Sequence, residues 1–248
     1  MKNIVYQTEE LARYFNKNRI QWSQFYDSEK EIIIELPLDK STTVLDIGCG
    51  CGGLGLSLKD KFNVEIYTGV AINSQNTETA KKMNSKAVVY CGDILDISNT
   101  DLKSKQFNIV FSLSCFDWNV RFLDMLKTAW NHVLPGGYLV ATFRLTVEKG
   151  CNDFNLSYQY INYDGVLEGE KAAYVVLNGN ELIDQLKDLN PSEINAFGYY
   201  GTPPGTAITP YKQLCFAAFS IQKRKDGDTT SDVSLKLKLP EDILASIK

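Results

Sequence analysis

The sequence predicts an α/β protein in which helices cover both faces of a parallel sheet. Short, apolar, β-branched runs alternate with helical patterns along most of the chain, and that alternation is typical of such a sheet. The chain has 248 residues, of which 44% are apolar or aromatic and 23% are charged. A chain of this size and composition buries a stable core without metals or disulfides.

The predicted elements follow the chain in a regular order. Residues 8–36 carry aromatic side chains at roughly helical spacing, which predicts helices ahead of the sheet. Seven strands are predicted, at residues 42–48, 64–72, 87–91, 107–113, 138–145, 194–200 and 214–222. The helices between them are expected near residues 53–60, 75–84, 120–133 and 180–188.

The chain is predicted to form one domain, residues 1–224, in which residues 1–40 are a helical N-terminal cap. Residues 146–179 are too long for an ordinary connection, and we expect this tyrosine-rich insertion to be a lid over the substrate. Residues 225–248 are predicted to be a linker and a tail. Alternating apolar residues in the tail indicate either an edge strand or a clasp on a second copy, so we expect a monomer or a homodimer through the tail.

The charge pattern narrows the classes of partner. The chain has 26 Lys and Arg residues and 30 Asp and Glu residues. It lacks the block of basic residues that binding to duplex nucleic acid requires. The first residues form no apolar leader, and no apolar stretch is as long as a membrane span. We therefore expect a cytoplasmic protein with reduced cysteines and without nucleic-acid or membrane partners.

The closely spaced cysteines do not predict a metal site. Cys49 and Cys51 are one residue apart, which is too tight for a usual zinc knuckle, and no His or second Cys pair lies near them in the sequence. Small residues that fill a tight turn are the better interpretation, and no metal is expected.

A glycine-rich turn lies between the first predicted strand and the first helix after it. Gly48, Gly50 and Gly53 satisfy the pattern G-x-G-x-x-G, which permits either a dinucleotide or another adenosyl cofactor at the carboxyl edge of the sheet. A dinucleotide site requires an acid about 20 residues further on, and residues 66–77 contain none. Asp46 before the turn and Asp93 after the third strand favour S-adenosylmethionine.

Four segments resemble the class I S-adenosylmethionine-dependent methyltransferases of the small-molecule type. They occur in the family's order and spacing, at residues 45–52 (LDIGCGCG), 91–94 (CGDI), 107–112 (FNIVFS) and 134–139 (LPGGYL). The resemblance implies a three-layer Rossmann-like fold whose mostly parallel, seven-stranded sheet has an antiparallel last strand. It also implies S-adenosylmethionine as cofactor and S-adenosylhomocysteine as product.

The resemblance and the residues around it identify a predicted cofactor site. Its members are Asp46, Gly48, Cys49, Gly50, Ile72, Asn73, Gly92, Asp93, Ile94, Ser112, Trp22 and Arg19. Ala71 departs from the family, which usually has an acid near this position to hold the ribose. Asn73 or Gln75 is the expected replacement, with a weaker, neutral hydrogen bond.

The segment 114–118 (SCFDW) follows the fourth strand and is expected to contact the acceptor. The predicted substrate residues are Cys115, Phe116, Trp118, Arg144 and Tyr160, and the predicted catalytic residues are Asp117 and Tyr158. A helix N-cap is the alternative role for Asp117. His132, the single histidine, is interpreted as a helix-end residue rather than a base.

These observations predict methyl transfer from S-adenosylmethionine to a small soluble acceptor. We expect O-methylation of a sugar, a nucleotide-sugar or a phosphorylated metabolite in the synthesis of bacterial surface polysaccharides. One alternative is a non-catalytic partner subunit that binds S-adenosylmethionine, since Ala71 weakens the cofactor site. The other is an NAD(P)-dependent oxidoreductase, which the glycine pattern alone also permits.

Overall fold

The computed structural model describes residues 10–96, 100–162 and 165–247, so the predicted start of the first helix at residue 8 lies outside the described residues. The helices are α1 (Glu10–Phe15), α2 (Asp27–Ile33), α3 (Gly53–Phe62), α4 (Ser74–Met83), α5 (Phe122–Asn131), α6 (Gly179–Lys187) and α7 (Glu241–Ser246). In the described part of the chain, no helix combines the length and the apolar character needed to cross a membrane.

The strands alternate with these helices, as the sequence predicts. They are β1 (Thr43–Ile47), β2 (Ile66–Ala71), β3 (Val88–Cys91), β4 (Phe107–Ser112), β5 (Val133–Thr146), β6 (Tyr158–Tyr160), β7 (Lys171–Ala173), β8 (Leu177–Asn178), β9 (Pro191–Gly201), β10 (Ala207–Ile208), β11 (Leu214–Lys223) and β12 (Ser234–Lys238).

One large sheet carries the fold. Its strand order in the described residues is β12-β9-β11-β5-β4-β1-β2-β3, and β8 pairs with the end of β5. Only β11 runs antiparallel to its neighbours in this sheet, β5 and β9. The predicted Rossmann-like sheet with an antiparallel last core strand is therefore confirmed. The predicted count of seven strands is too low, because β8 and β12 raise the described sheet to nine.

Burial on both faces explains why the central strands are continuous apolar runs. In β1, Val44 belongs to one buried cluster and Leu45 to the cluster on the other face. In β4, Phe111 belongs to the same cluster as Val44, and Val110 belongs to the same cluster as Leu45. Alternate side chains of a strand point to opposite faces of the sheet. A strand that is buried on both faces therefore does not alternate between apolar and polar residues.

The fifth strand begins earlier than predicted. The structure places its start at Val133, which pairs with Phe107, and the register then shifts before Tyr138 pairs with Ile109. Gly137 lies in this irregular stretch, where a Cβ atom would fall 2.5 Å from the carbonyl oxygen of Asn108. The sequence predicts a turn at Gly136 and Gly137. In the structure these glycines lie inside an irregular strand, where Gly137 lets the neighbouring strand approach closely.

The insertion between β5 and α6 forms a small sheet of its own. The strands β6 and β7 pair in antiparallel fashion, and β10 from a later part of the chain joins β6. The insertion returns to the large sheet through β8. Whether this segment moves as a lid remains a prediction.

The tail is an edge strand of its own chain. Strand β12 pairs in parallel with β9, and α7 follows it. Ile243 of α7 is fully buried, and its Cγ2 atom would lie 3.1 Å from a Cβ atom built on Gly179. The hydroxyl of Tyr200 on β9 donates a hydrogen bond of 2.6 Å to Asp242. The oligomeric state expected from the tail remains a prediction.

Truncation of the buried tail residue tests whether residues 225–248 fold with the rest of the chain. Ile243→Ala should lower the free energy of unfolding by about 3 kcal/mol, because it leaves a cavity in a packed interface. Leu235→Ala on β12, where the side chain is 39% exposed, should change it by only about 0.5 kcal/mol. Urea denaturation measures both. Equal, negligible effects would show that the tail does not contribute to the core.

Candidate cofactor and acceptor site

A cavity of about 720 Å³ opens at the carboxyl edge of the large sheet. It is lined by the turn after β1, by the ends of β2, β3 and β4, by the N-terminal segment, and by the insertion. In open α/β sheets ligands bind at this edge, and the volume lies within the usual range for small-molecule sites. The sheet therefore brings the first two sequence motifs and the loop after β4 to one cavity.

The glycines of the turn after β1 have backbone angles that favour glycine, and Gly48 has a neighbour that leaves no room for a side chain. Gly48 and Gly50 have φ angles of +82° and +51°, in the left-handed region that glycine adopts without strain. The amides of Gly48 and Cys49 donate hydrogen bonds to the carbonyl of Val70. A Cβ atom on Gly48 would also fall 2.5 Å from the Sγ atom of Cys115, so the loop after β4 packs directly against the turn.

Asp46 holds a buried carboxylate beside this turn. Its Oδ2 atom accepts a hydrogen bond of 2.6 Å from the hydroxyl of Tyr67 on β2. Burial raises the pKa of Asp46 to about 6, against the opposing effects of the Tyr67 hydrogen bond and the charge of Arg19. At neutral pH the group is mostly ionised, which places a negative charge beneath the cavity.

The N-terminal cap contains a buried ion pair and lies against the cofactor side of the cavity. Arg19 donates a hydrogen bond of 2.8 Å to Oε1 of Glu29, whose side chain is fully buried. The Arg19 guanidinium lies 4.7 Å from the ring centroid of Phe25 and 5.3 Å from that of Tyr26. A Cβ atom on Gly53 would collide with the carbonyl of Arg19, so the cap sits tightly on the start of α3.

The ends of β2 and β3 supply the polar groups of the predicted adenosine side. The amide of Gly92 donates to the carbonyl of Ala71, and Oδ1 of Asp93 accepts from the amide of Leu95 at 3.0 Å. Oδ1 of Asn73 accepts from the amide of Asn76 and caps α4. Asn73 lines the cavity, and its role as the ribose partner stays a prediction.

The other candidate for the ribose contact lies elsewhere. Gln75 lines a separate shallow depression with Lys82 and Glu78 from the same helix. It is not among the described residues that line the large cavity. Of the two expected replacements for the missing acid, only Asn73 therefore faces the site.

The loop after β4 is clamped by two side chains of β5. Ser114 has a left-handed φ angle of +50°, and its amide donates a hydrogen bond of 2.6 Å to the hydroxyl of Thr142. The Nε atom of Arg144 lies 3.3 Å from Oδ2 of Asp117, and its Nη1 atom donates to the Asp117 carbonyl at 2.7 Å. Asp117 is not a cap of α5, because Arg121 holds that position.

Aromatic rings enclose this second ion pair. The Arg144 guanidinium lies 4.6 Å from the ring centroid of Trp118 and 3.7 Å from that of Tyr174. Burial raises the pKa of Asp117, and the charge of Arg144 opposes that rise. Burial also raises the pKa of Tyr174 to about 12. Within the described residues, Oδ1 of Asp117 and the hydroxyl of Tyr174 are buried without a hydrogen-bond partner.

Most residues predicted from the sequence meet in this cavity. Those that line it are Arg19, Asp46, Gly48, Cys49, Gly50, Ile72, Asn73, Gly92, Asp93, Ile94, Cys115, Asp117, Trp118, Arg144 and Tyr160. Their roles in binding or catalysis remain predictions.

Four predicted residues lie away from the cavity lining. Phe116 is fully buried in the apolar core, and Ser112 is fully buried in β4. Trp22 packs edge-on against Phe62, with ring centroids 5.3 Å apart. Tyr158 lies on the small sheet of the insertion. These positions explain why adjacency in sequence to a motif does not guarantee that a side chain faces the ligand.

His132 lies at the end of a helix, as the sequence predicts. It is the C-cap of α5, and its Nδ1 atom is 2.8 Å from the carbonyl oxygen of Lys105. The residue is buried and is not among the described residues that line the cavity. Its hydrogen bond joins α5 to the segment before β4.

Comparisons with known proteins agree with this geometry. Residues 45–141 match the family described as a methyltransferase domain. A malonyl-[acyl-carrier protein] O-methyltransferase from Marinomonas sp. is 24% identical over 189 residues, which cover 70% of this chain and 68% of that protein. The enzyme of the same name from Priestia megaterium is 27% identical over 139 residues, which cover 52% of this chain and 49% of that protein.

A solved structure supports the fold independently. A SAM-dependent methyltransferase from Methanosarcina mazei superimposes with a TM-score of 0.59 at 19% sequence identity. The match covers 82% of this chain and 99% of that chain. At this level of identity the similarity establishes a shared architecture.

Two substitutions test the cofactor side of the cavity. Gly50→Val should abolish binding of S-adenosylhomocysteine, because it adds a β-branched side chain at a left-handed position that faces the cavity. Asp93→Ala should lower the affinity roughly 10- to 150-fold, which corresponds to a lost charged hydrogen bond of about 1.5–3 kcal/mol. Isothermal titration calorimetry measures both.

The matched control is Asp96→Ala, which removes an exposed carboxylate from the same turn. This variant should bind S-adenosylhomocysteine like the wild type. Unchanged affinity in Asp93→Ala would contradict the assignment of Asp93 to the cofactor.

Removal of the single imidazole tests the structural role of His132. His132→Ala should bind S-adenosylhomocysteine with unchanged affinity and should lose about 1–3 kcal/mol of stability, since the Lys105 carbonyl loses its partner. Calorimetry and thermal denaturation give the two quantities. A folded variant with impaired cofactor binding would show that His132 acts on the site.

Proposed function

We propose that this chain is a class I S-adenosylmethionine-dependent methyltransferase that methylates an oxygen atom of a small acceptor. The match of residues 45–141 to a methyltransferase domain family and the shared fold support this assignment. The observation that carries the proposal is one continuous cavity, which joins the glycine turn to the loop after β4 and to the insertion. The cofactor and the acceptor can therefore bind next to each other in the same cavity.

The residues present suit S-adenosylmethionine. The turn at Gly48 and Gly50 leaves room for a ligand against the main chain, and Asp93 offers a carboxylate at the end of β3. The carboxylates of Asp46, Asp93 and Asp117 face the cavity, and negative charge of this kind favours a cationic sulfonium cofactor. When bound, the cofactor supplies a methyl group that is already activated for transfer.

The protein then contributes position more than chemical activation. Transfer of a methyl group from a sulfonium is an in-line displacement, and holding the two reactants at near-attack distance supplies much of the acceleration. Thr142 and Arg144 fix the loop that carries Asp117 and Trp118. That loop packs on the glycine turn through Cys115, so the acceptor wall and the cofactor wall are in direct contact.

Oxygen is favoured as the target atom, and the relatives named malonyl-[acyl-carrier protein] O-methyltransferases support this choice. Among the acceptors expected from the sequence, the charges favour neutral ones such as unphosphorylated sugars. Among the described lining residues, Arg19 and Arg144 are the cations, and each already contacts a buried carboxylate. A phosphate group would compete with Glu29 or Asp117 for them.

The proposal predicts transfer of label from methyl-labelled S-adenosylmethionine to a small molecule in a metabolite extract. Mass spectrometry of the filtrate should detect the labelled product with the wild type and not with Gly50→Val. Isothermal titration should detect S-adenosylhomocysteine but neither NAD nor NADP.

Two results would reject this function. Tight cofactor binding without any labelled product would favour a non-catalytic binding subunit. Binding of NAD or NADP in place of S-adenosylhomocysteine would favour the oxidoreductase interpretation.

A further inference from the structure

We infer that the acceptor is a neutral, proton-bearing hydroxyl compound, an alcohol or a phenol, and that Asp117 takes its proton as the methyl group is transferred. The inference rests on the proposed function and specifies its acceptor. It also separates this chain from relatives whose names include a malonyl acceptor.

The first observation is the uneven use of the Asp117 side chain. Its Oδ2 atom lies 3.3 Å from Arg144, and its carbonyl accepts hydrogen bonds from Arg144 and from the amide of Val175. Within the described residues, its Oδ1 atom is buried and accepts no hydrogen bond. Buried carboxylate oxygens rarely lack a donor, because the lost hydration is costly. A donor group on a ligand would satisfy this atom.

The second observation is the hydroxyl of Tyr174, which is also buried and unpartnered in the described structure. Tyr174 stacks on the same guanidinium that pairs with Asp117, and both residues line the cavity. The two oxygens are shielded from solvent, so a ligand reaches them only when a lining side chain moves aside. Together they offer one carboxylate acceptor and one hydroxyl donor at the same wall.

This pair of groups discriminates between acceptor types. A ligand hydroxyl donates its proton to the Asp117 carboxylate and accepts a hydrogen bond from the Tyr174 hydroxyl. An ionised ligand carboxylate only accepts, so it would face the Asp117 oxygen with like charge and without a hydrogen bond. The pairing therefore matches an alcohol or a phenol.

The charges of the cavity lead to the same conclusion. The guanidinium groups of Arg19 and Arg144 already pair with Glu29 and Asp117. Among the described lining residues, Asp46 and Asp93 add further carboxylates. An anionic acceptor would enter a cavity in which acids outnumber cations, whereas a neutral one avoids that repulsion.

The chemistry is balanced in atoms and charge. The acceptor O–H bond breaks and its proton passes to Oδ1 of Asp117. The acceptor oxygen uses an electron pair to form the bond to the methyl carbon, while the pair of the broken S–C bond stays on sulfur. Burial raises the pKa of Asp117 and so makes its carboxylate a stronger base than an exposed aspartate.

The first experiment determines the type of product bond, and it works with an acceptor of any identity. Wild-type protein is incubated with methyl-labelled S-adenosylmethionine and a metabolite extract, and the labelled products are treated with mild alkali. A methyl ether keeps its label, whereas a methyl ester hydrolyses and releases volatile labelled methanol. We expect alkali-stable label whose methyl NMR shift is that of an ether.

Two outcomes of this experiment would overturn the inference. Release of labelled methanol would identify a carboxylate acceptor, and an N-methyl or S-methyl shift would identify a different nucleophile. The proposed transfer to oxygen survives the first result and fails on the second. The absence of any labelled product is the separate failure of the proposed function itself.

The second experiment tests Asp117 directly, with Asp117→Asn as the variant and Asp124→Asn as the control. Asp124 is an exposed carboxylate of α5 that pairs with Arg121. Asp117→Asn should incorporate label at least ~100-fold more slowly, as expected for loss of a general base, while calorimetry shows unchanged binding of S-adenosylhomocysteine. Asp124→Asn should match the wild type in both measurements.

The pH profile separates a base from a positioning residue. The charged and titratable groups that face Asp117 are Arg144, Glu29, Tyr174 and Cys115. The wild-type rate should fall as the pH is lowered and the carboxylate is protonated. Asp46, whose pKa burial raises to about 6, titrates in both proteins, so the residual rate of Asp117→Asn should show a weaker acid limb than the wild type. A folded Asp117→Asn variant with the wild-type rate, or with the same acid limb, would overturn the role of Asp117. If that variant does not fold, the alkali test still decides the acceptor class.

Discussion

Burial of the central strands on both faces is the constraint that organises this protein. Strands β1 and β4 are covered on both faces, so polar groups concentrate near the strand ends, as Asp46 does in β1. The parallel direction of these strands brings their ends to the same edge. The glycine turn, the end of β3 and the loop after β4 therefore converge by topology, although they are far apart in sequence.

Two buried ion pairs then fix the walls of the resulting cavity. Arg19 and Glu29 pair within the N-terminal cap, beside the cofactor turn, while Arg144 and Asp117 join β5 to the loop after β4. Buried pairs of this kind add little net stability, because desolvation offsets much of their attraction. Their value lies in geometry, since aromatic rings stack on both guanidinium groups and the Asp117 carbonyl also accepts a hydrogen bond from Arg144.

The core of the fold was predictable because its signal is local. Apolar runs identify the seven strands of the sheet core, and turn glycines with nearby acids identify the cofactor edge. The acceptor wall was only partly predictable. Tyr174 is one of several tyrosines in the insertion, and nothing in its sequence neighbourhood distinguishes it from Tyr158. From the sequence, Glu29 looks like a surface residue of a short helix. In the structure it is buried and pairs with Arg19.

The position of β12 has a consequence for the folding of the chain. Strand β9 pairs with β11 on one side and with β12 on the other, and β12 is the last strand in the described sequence. During synthesis the outer edge of β9 therefore stays open after the rest of the large sheet has formed. Open strand edges recruit other chains, and slow, non-local pairing prolongs that exposure. The late strand and its buried Ile243 anchor thus cover the edge of β9, and β12, a short strand that carries Lys236 and Lys238, becomes the edge in its place.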